Sequence, residues 1–330
     1  MLLLTHVRWS GAFAIVWGKC RGVMAERLHT AHAFLNRLRE SFMLQVAVIT
    51  VVILVLMALG IVYPSTKLGF IVVIVLAIVN PRLRGFGFDF MPFMLLLLTY
   101  NEMRRFADEF VYTEINIVNL IRWEKALFGE LPGYWLQSTL WGHFYTPVID
   151  VLANFFYLSH FITPVILAGL LWWSRRSEYW AFMIGLVALS FAAFATYLLF
   201  PAAPPWWATS HGYLRSDPIT LAKFVINEDV MASGPNPVAA MPSLHIGYPT
   251  YLALVAITVW GRRALPVILL PLALLFSAVY LGHHYIIDGI AGAFYALIIY
   301  LMVFRWLRKT HITLNIFEWR RISQLRDGAN

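Results

Sequence analysis

Long apolar runs, broken by short basic turns, dominate the chain. A helix that crosses a bilayer needs about 20 mostly apolar residues. Met43–Tyr63 meets that length, as do Val148–Trp173, Tyr179–Phe200, Leu244–Trp260, Ala264–Leu281 and Tyr285–Phe304, some at the short end. Between the first two, Leu68–Val79 and Phe90–Tyr100 are each too short to span alone. Together they would form a tight pair around Pro81–Gly85. The pattern predicts an all-α integral membrane protein with six spans, or eight if that pair crosses. Both arrangements leave the two termini on the same side.

Composition agrees: 60% of the 330 residues are hydrophobic and 13% are charged, whereas a soluble domain carries roughly 25% charged residues. This excludes a disordered chain and an ordinary cytosolic enzyme. The one cysteine, Cys20, excludes an intramolecular disulfide and a cysteine-rich metal site. The net charge of +8 raises the question of where the cations sit. With the N-terminus placed in the cytoplasm, most of the 25 Lys and Arg fall on the cytoplasmic face. They lie in the two tails and at Arg175-Arg176 and Arg262-Arg263, as the positive-inside rule requires. The charge is thus a topology signal. Split among short turns, it does not form a nucleic-acid surface.

The chain then divides into a basic cytoplasmic segment (1–42), a transmembrane catalytic domain (43–304) and a basic cytoplasmic tail (305–330). The N-terminal segment, with Leu2-Leu3-Leu4 interrupted by Arg8, reads as an amphipathic lead-in rather than a signal peptide. Two outer loops, about 101–147 and 201–243, face the opposite side. Within the first, Glu114–Gly129 reads as an interfacial helix. The second is long and proline-rich, which in a compact domain is usually functional or disordered. Trp141, Tyr145, Trp172-Trp173 and Trp206-Trp207 fit an aromatic belt at the membrane surfaces.

Two segments carry candidate chemistry: Met241-Pro242-Ser243-Leu244-His245, and Gly282-His283-His284-Tyr285-Ile286-Ile287-Asp288. Each opens a span, and the helices between them form a hairpin turning at Gly261-Arg262-Arg263. Span parity therefore returns His245 and His284 to one membrane face. His284 and Asp288 are four apart, so on a helix they share a face. A carboxylate that accepts the ring Nδ1–H fixes the tautomer and leaves Nε2 as nucleophile or base. A helix N-terminus beside Ser243 and His245 suits an anion. Two histidines, a carboxylate and such a helix end make a phosphoryl-transfer site. A proton relay in a transporter would use the same residue types, but these lie at one face and no inverted repeat is evident.

These segments resemble the phosphate-site motifs of the type 2 phosphatidic acid phosphatase superfamily, Pro-Ser-Gly-His and Ser-Arg-x5-His-x3-Asp. Ser277, His284 and Asp288 match the second in spacing, but Leu244 replaces the glycine and Ala278 the arginine. With Pro201-Ala202-Ala203-Pro204-Pro205-Trp206 upstream, the chain is most similar to the branch containing inositol phosphorylceramide synthase. The resemblance runs from about Val148 to Phe304.

It implies a six-helix transmembrane core and an integral lipid phosphotransferase working through a phosphohistidine, without metal or other cofactor. His284 would attack phosphorus and Asp288 would orient it. His245 would protonate the leaving alkoxide and then deprotonate the acceptor. An inositol-phosphate-like head group would pass from a phospholipid to a lipid alcohol. With water as acceptor, the same site makes a phosphatase acting on phosphatidic acid or a polyprenyl phosphate. The expected partners are membrane lipids. The expected setting is the plasma membrane, with the site extracytoplasmic. The superfamily's upstream Lys-x6-Arg-Pro motif has no good copy here. Arg104 is the best substitute clamp, since arginine holds phosphate bidentately. Ser243 and His283 are further phosphate-binding candidates, and His211, Arg215 and Lys223 are candidate head-group residues in the outer loop.

Overall fold

The protein is described here from a computed structural model covering residues 84–106, 114–214 and 239–310. The chain divides into two compact units, Met1–Leu56 and Met57–Asn330, and every described residue belongs to the second. The expected spans Met43–Tyr63 and Leu68–Val79 lie outside the described residues, as do the N-terminal segment, residues 311–330 of the C-terminal tail, Arg215 and Lys223.

The described residues are helical, with no strand beyond isolated bridges. Four runs are long and apolar enough to cross a membrane: Thr146–Ser174, Arg176–Leu199, Leu244–Tyr280 and Ile286–Lys309. This is an integral membrane protein of all-α class.

Helix α1 covers Arg84–Phe106. It is longer than the expected apolar stretch at both ends and takes in residues assigned above to the Pro81–Gly85 turn and to the outer loop. Of the rest of that loop, residues 114–147 are described. They hold α2 (Val118–Phe128) and α3 (Pro132–Leu140), where one interfacial helix beginning at Glu114 was expected. Pro132 opens α3 at its first position, where a missing N–H costs nothing.

Next come α4 (Thr146–Ser174), α5 (Arg176–Leu199) and a short α6 (Pro205–Ser210). Helix α7 (Leu244–Trp260) leads through a 3-10 segment, Gly261–Ile268, into α8 (Leu269–Tyr280). The 37-residue apolar run is thus a hairpin, with α8 packed back along α7. The returning span is not α-helical throughout: Pro266 sits inside its first stretch and lacks the N–H an α-helix needs there. Helix α9 (Ile286–Ile299) continues through a π-helical turn at Tyr300–Phe304 into α10 (Arg305–Thr310).

Helix α7 packs against α4, α5, α8 and α9. Lipid tails are as apolar as leucine, so hydrophobicity does not drive helices together inside a bilayer; close packing and hydrogen bonds do. Both are present. A side chain at Gly292 of α9 would run into the Ser243 carbonyl, and one at Gly247 would lie 3.2 Å from the Gly292 carbonyl. These glycines let the N-terminal ends of α7 and α9 cross nearly backbone to backbone.

Hydroxyl pairs tie the same helices together: Ser190 to Tyr248 (2.8 Å), Thr196 to Tyr295 (2.6 Å) and Thr258 to Tyr300 (2.6 Å). Near one end of the bundle, Arg176 bonds Asp89 at 2.7 Å and lies 4.0 Å over the Trp172 ring, whose Nε1 also donates to Asp89. Trp172 is therefore buried in a charge cluster rather than facing lipid, whereas Trp173 is exposed as expected of a belt residue.

Candidate active site

The two motif segments meet where α7 and α9 begin. Gly282 takes a positive φ of 75°, open to glycine, and turns the chain at the end of α8. The Ala278 carbonyl then accepts the amides of both His283 and His284, at 2.9 and 3.2 Å. The Ser243 amide donates to the Asp288 carbonyl at 2.9 Å, stitching one motif to the other. Tyr197 of α5 donates to the Pro242 carbonyl at 2.8 Å and fixes the turn leading into α7.

His245 Nδ1 lies 2.9 Å from His284 Nε2, and His284 Nδ1 lies 3.4 Å from Asp288 Oδ2. The partners imply the tautomers: the carboxylate accepts the His284 Nδ1–H, so Nε2 carries a lone pair and accepts from His245. The His284–Asp288 contact does not come from a shared helix face. Helix α9 starts only at Ile286, so His284 precedes it. Asp288 reaches back from the first turn instead, and the same oxygen accepts the Tyr285 amide at 2.9 Å. This is cap geometry, and it reproduces a four-residue pairing.

Around this pair, polar groups are buried but incompletely satisfied. Ser243 Oγ, Tyr285 OH and Asp288 Oδ1 have no hydrogen-bond partner. Buried polar atoms are nearly always paired, so these three are candidates to bond a polar ligand. Ser243 occupies the cap position of α7 without capping it.

Helix α4, which carried no candidate residue, supplies much of the surround. The Tyr157 ring stacks on His245 (4.5 Å) and on His283 (4.4 Å). His160 packs edge-on against His245 at 4.1 Å, with its Nδ1 2.6 Å from the Tyr157 carbonyl. Asp150, Asn154, Tyr157 and His160 recur at helical spacing on α4. At the N-terminal end of this stripe, Tyr280 donates to Asp150 at 2.6 Å and accepts from Trp141 Nε1 at 2.8 Å. The sequence signal for these residues was a histidine inside an apolar run, functional by default in a membrane helix. Trp141, expected in a belt, belongs to this network.

Helix α2 contributes Glu124, which is 1% exposed. Its two oxygens accept the amides of Ile286 (2.8 Å) and Ile287 (3.2 Å) in the first turn of α9. Burial pushes its carboxyl above the ordinary range; the two amides pull the other way, and nearby Asp288 adds to the rise. The signal available was a glutamate four residues from Leu120 on the buried side of an amphipathic helix.

The remaining candidates fall as follows. His283 is buried, and desolvation, followed by its neighbours His284 and His160, lowers it to about 3. It is therefore neutral at physiological pH and offers a phosphate a dipole rather than a charge. His211 is exposed, stacked 3.6 Å from Trp207, with its Nδ1 near Ser210 Oγ and the Trp207 carbonyl. Its loop is tied to the site through the Trp206 amide, which donates to the Gly282 carbonyl at 3.1 Å. Arg104 lies on α1, but its side chain is outside the described residues, as are Arg215 and Lys223.

A helical membrane domain with two histidines in contact, one backed by a carboxylate, at converging helix ends defines the phosphatidic-acid-phosphatase type of enzyme. The profile described as PAP2 superfamily matches residues 118–302, more than half the chain, and the chain belongs to that superfamily: a membrane enzyme acting on lipid phosphate esters. It is similar to phosphoinositol dihydroceramide synthase of Bacteroides thetaiotaomicron, at 28% identity over 249 residues, covering 69% of this chain and 80% of that protein. It is also similar to inositol phosphorylceramide synthase of Candida albicans, at 24% over 257 residues (73% of this chain, 53% of that protein). A third relative is the catalytic subunit of inositol phosphorylceramide synthase of Schizosaccharomyces pombe, at 25% over 219 residues (59% and 49%). The chain thus spans about half the length of the two fungal relatives. No solved structure matches it significantly.

Proposed function

We propose that the chain is a lipid phosphotransferase that moves an inositol-phosphate-like head group from a phospholipid to a lipid alcohol of the ceramide type. The observation that carries this is the relay His245 Nδ1–His284 Nε2–Asp288, at 2.9 and 3.4 Å, taken with the names of the three relatives.

In the first half-reaction, the phosphodiester displaces the His245 N–H from the His284 lone pair. Nε2 attacks phosphorus, the bond to the diacylglycerol oxygen breaks, and His245 supplies the proton that oxygen needs. The intermediate is a phosphohistidine that keeps the head group. In the second half, His245 takes the proton from the acceptor hydroxyl. The new P–O bond forms as the P–N bond breaks, and His284 returns to its starting state. Splitting one displacement into two through a nucleophile needs no metal, provided donors neutralise the phosphoryl oxygens. The first-turn amides of α7, Ser243 Oγ and the side chain of Arg104 are assigned to that task. The site faces the side opposite the basic tails, and the membrane is the plasma membrane.

The test is direct. Purified protein in detergent is given phosphatidylinositol with and without a ceramide, and head-group transfer and released phosphate are measured. Transfer that depends on ceramide, is abolished in His284→Ala and is untouched by chelator is the expected result. Release of phosphate or inositol phosphate at the same rate without ceramide would make the enzyme a hydrolase. Full activity in His284→Ala would overturn the covalent route.

A further inference from the structure

Two helix N-termini converge on the site, and each offers backbone amides to an anion. They are not equivalent. The first turn of α9 is occupied by this chain's own carboxylates: Ile286 and Ile287 donate to Glu124, and Tyr285 donates to Asp288. Ser243, at the cap position of α7, makes no capping bond, and its Oγ is buried without a partner among the described residues.

Glu124 stands out because its cost is plain. It is a buried carboxylate beside a site read as taking an anionic substrate, within electrostatic reach of a second buried carboxylate, Asp288. Burying a charge is tolerated only where it is well bonded, and Glu124 is bonded at both oxygens, to a segment more than 160 residues away. The helix that carries it is exposed around most of its circumference, at Val118, Trp123, Leu127 and Phe128 as well as at Arg122 and Lys125. Its one acid is turned inward, to the first turn of α9.

We propose that Glu124 is a positioning residue that acts as a built-in anion. It fills the α9 amides, so that a phosphate is received only at α7, on the nucleophile's side. It also anchors the first turn of α9, from which Asp288 reaches back to His284. The inference rests on the reading that this site takes a lipid phosphate.

The test compares full-length wild type with Glu124→Gln and Ile286→Pro in detergent. Gln keeps the size of Glu124 but presents one oxygen and one NH2 to two N–H donors. Pro removes one of the donors from the other side. It suits the first helical position, and Tyr285, at φ −76° and ψ 157°, already has the conformation that a following proline requires. Two quantities are read: transfer kinetics, and the rise in melting temperature caused by inorganic phosphate, which needs no turnover.

For Glu124→Gln, kcat is expected to fall at least tenfold with KM changed less than threefold. Inorganic phosphate should raise its melting temperature more than it raises that of wild type and inhibit it several-fold more strongly. For Ile286→Pro, a smaller fall in kcat is expected without the gain in phosphate binding, because the carboxylate stays in place. Wild-type kcat in Glu124→Gln, or no difference in its phosphate-induced shift, overturns the proposal. A purely structural role would lower the melting temperature of both variants without changing the phosphate response, which also overturns it. Absence of transfer in wild type would instead refute the transferase reading, and the phosphate shift would still decide the role of Glu124.

Discussion

Asp288→Asn separates the charge of the relay from its hydrogen bonds. One oxygen, Oδ2, accepts both from His284 and from the Tyr285 amide, while Oδ1 has no partner. An asparagine placed with its carbonyl at Oδ2 keeps both bonds and puts its NH2 where the orphan oxygen was. The negative charge alone is lost. His284 is neutral at rest and becomes cationic as Nε2 bonds to phosphorus, so this charge acts on the transition state and hardly on the ground state. At 3.4 Å, a unit charge pair interacts by about 5 kcal/mol at an effective dielectric of about 20. A tenfold change in rate is about 1.4 kcal/mol. With the charge partly to fully developed at the transition state, kcat should fall roughly 10² to 10⁴-fold with little change in KM. The buried NH2, lacking an acceptor, should also cost about 1–3 kcal/mol of stability. The assay is head-group transfer from phosphatidylinositol to a fluorescent ceramide, single turnover, with folding checked by gel filtration and thermal unfolding in detergent. A kcat within tenfold of wild type, in a folded Asn variant, would refute the argument that the carboxylate's charge carries catalysis.

His245→Ala should lose about 10² to 10⁴ in kcat on the natural lipid, the range for a general acid, and much less on a phosphodiester with a nitrophenol leaving group; equal losses on both would remove His245 from the acid role. Tyr157→Phe should retain most activity, because the ring is what stacks on His245 and His283. Tyr157→Leu should lose at least tenfold, read as kcat at saturating lipid. Gly292→Ala puts a methyl group against the Ser243 carbonyl and should destabilise by about 1–3 kcal/mol through overpacking, seen as a lower melting temperature. His283 is held neutral in the fold, with its pKa lowered to about 3, but protonates near 6.5 when unfolded. Its contribution is whole above about 6.5 and is lost as the pH falls from there toward 3. Thermal unfolding between pH 7.5 and 4.5 should therefore show a shallower acid loss for His283→Gln than for wild type.

The membrane class and the meeting of His245, His284 and Asp288 were legible because both signals are local. An apolar run declares a span by its length, and His245, His284 and Asp288 sit in short segments at span mouths. Span parity then put the two histidines on one face, and they are in contact. What escaped depends on which side of a helix faces inward. Tyr157 and His160 lie in an apolar run where the sequence does not mark the inward face, and Glu124 looked like one charge among several in an outer loop. The His284–Asp288 pairing was anticipated for a different reason from the true one, since a cap and a helix face share the same four-residue spacing. Trp172 and Trp141 read as belt residues because indole rings serve lipid interfaces and buried charge clusters equally well.

The Asp89–Arg176 pair bears on how the protein is made. The partners stand 87 positions apart, and a ribosome adds about 5–20 residues per second. Asp89 is therefore synthesised roughly 4 to 17 seconds before its guanidinium exists. During that interval a carboxylate has only apolar neighbours on its own helix, and such a group is expelled from hydrocarbon. If α1 needs this ion pair to bury Asp89, it should reach its final packing only when the start of α5 arrives. In a chain truncated before Arg176, α1 should therefore be more open to protease or to labelling of an introduced cysteine than in the full-length chain.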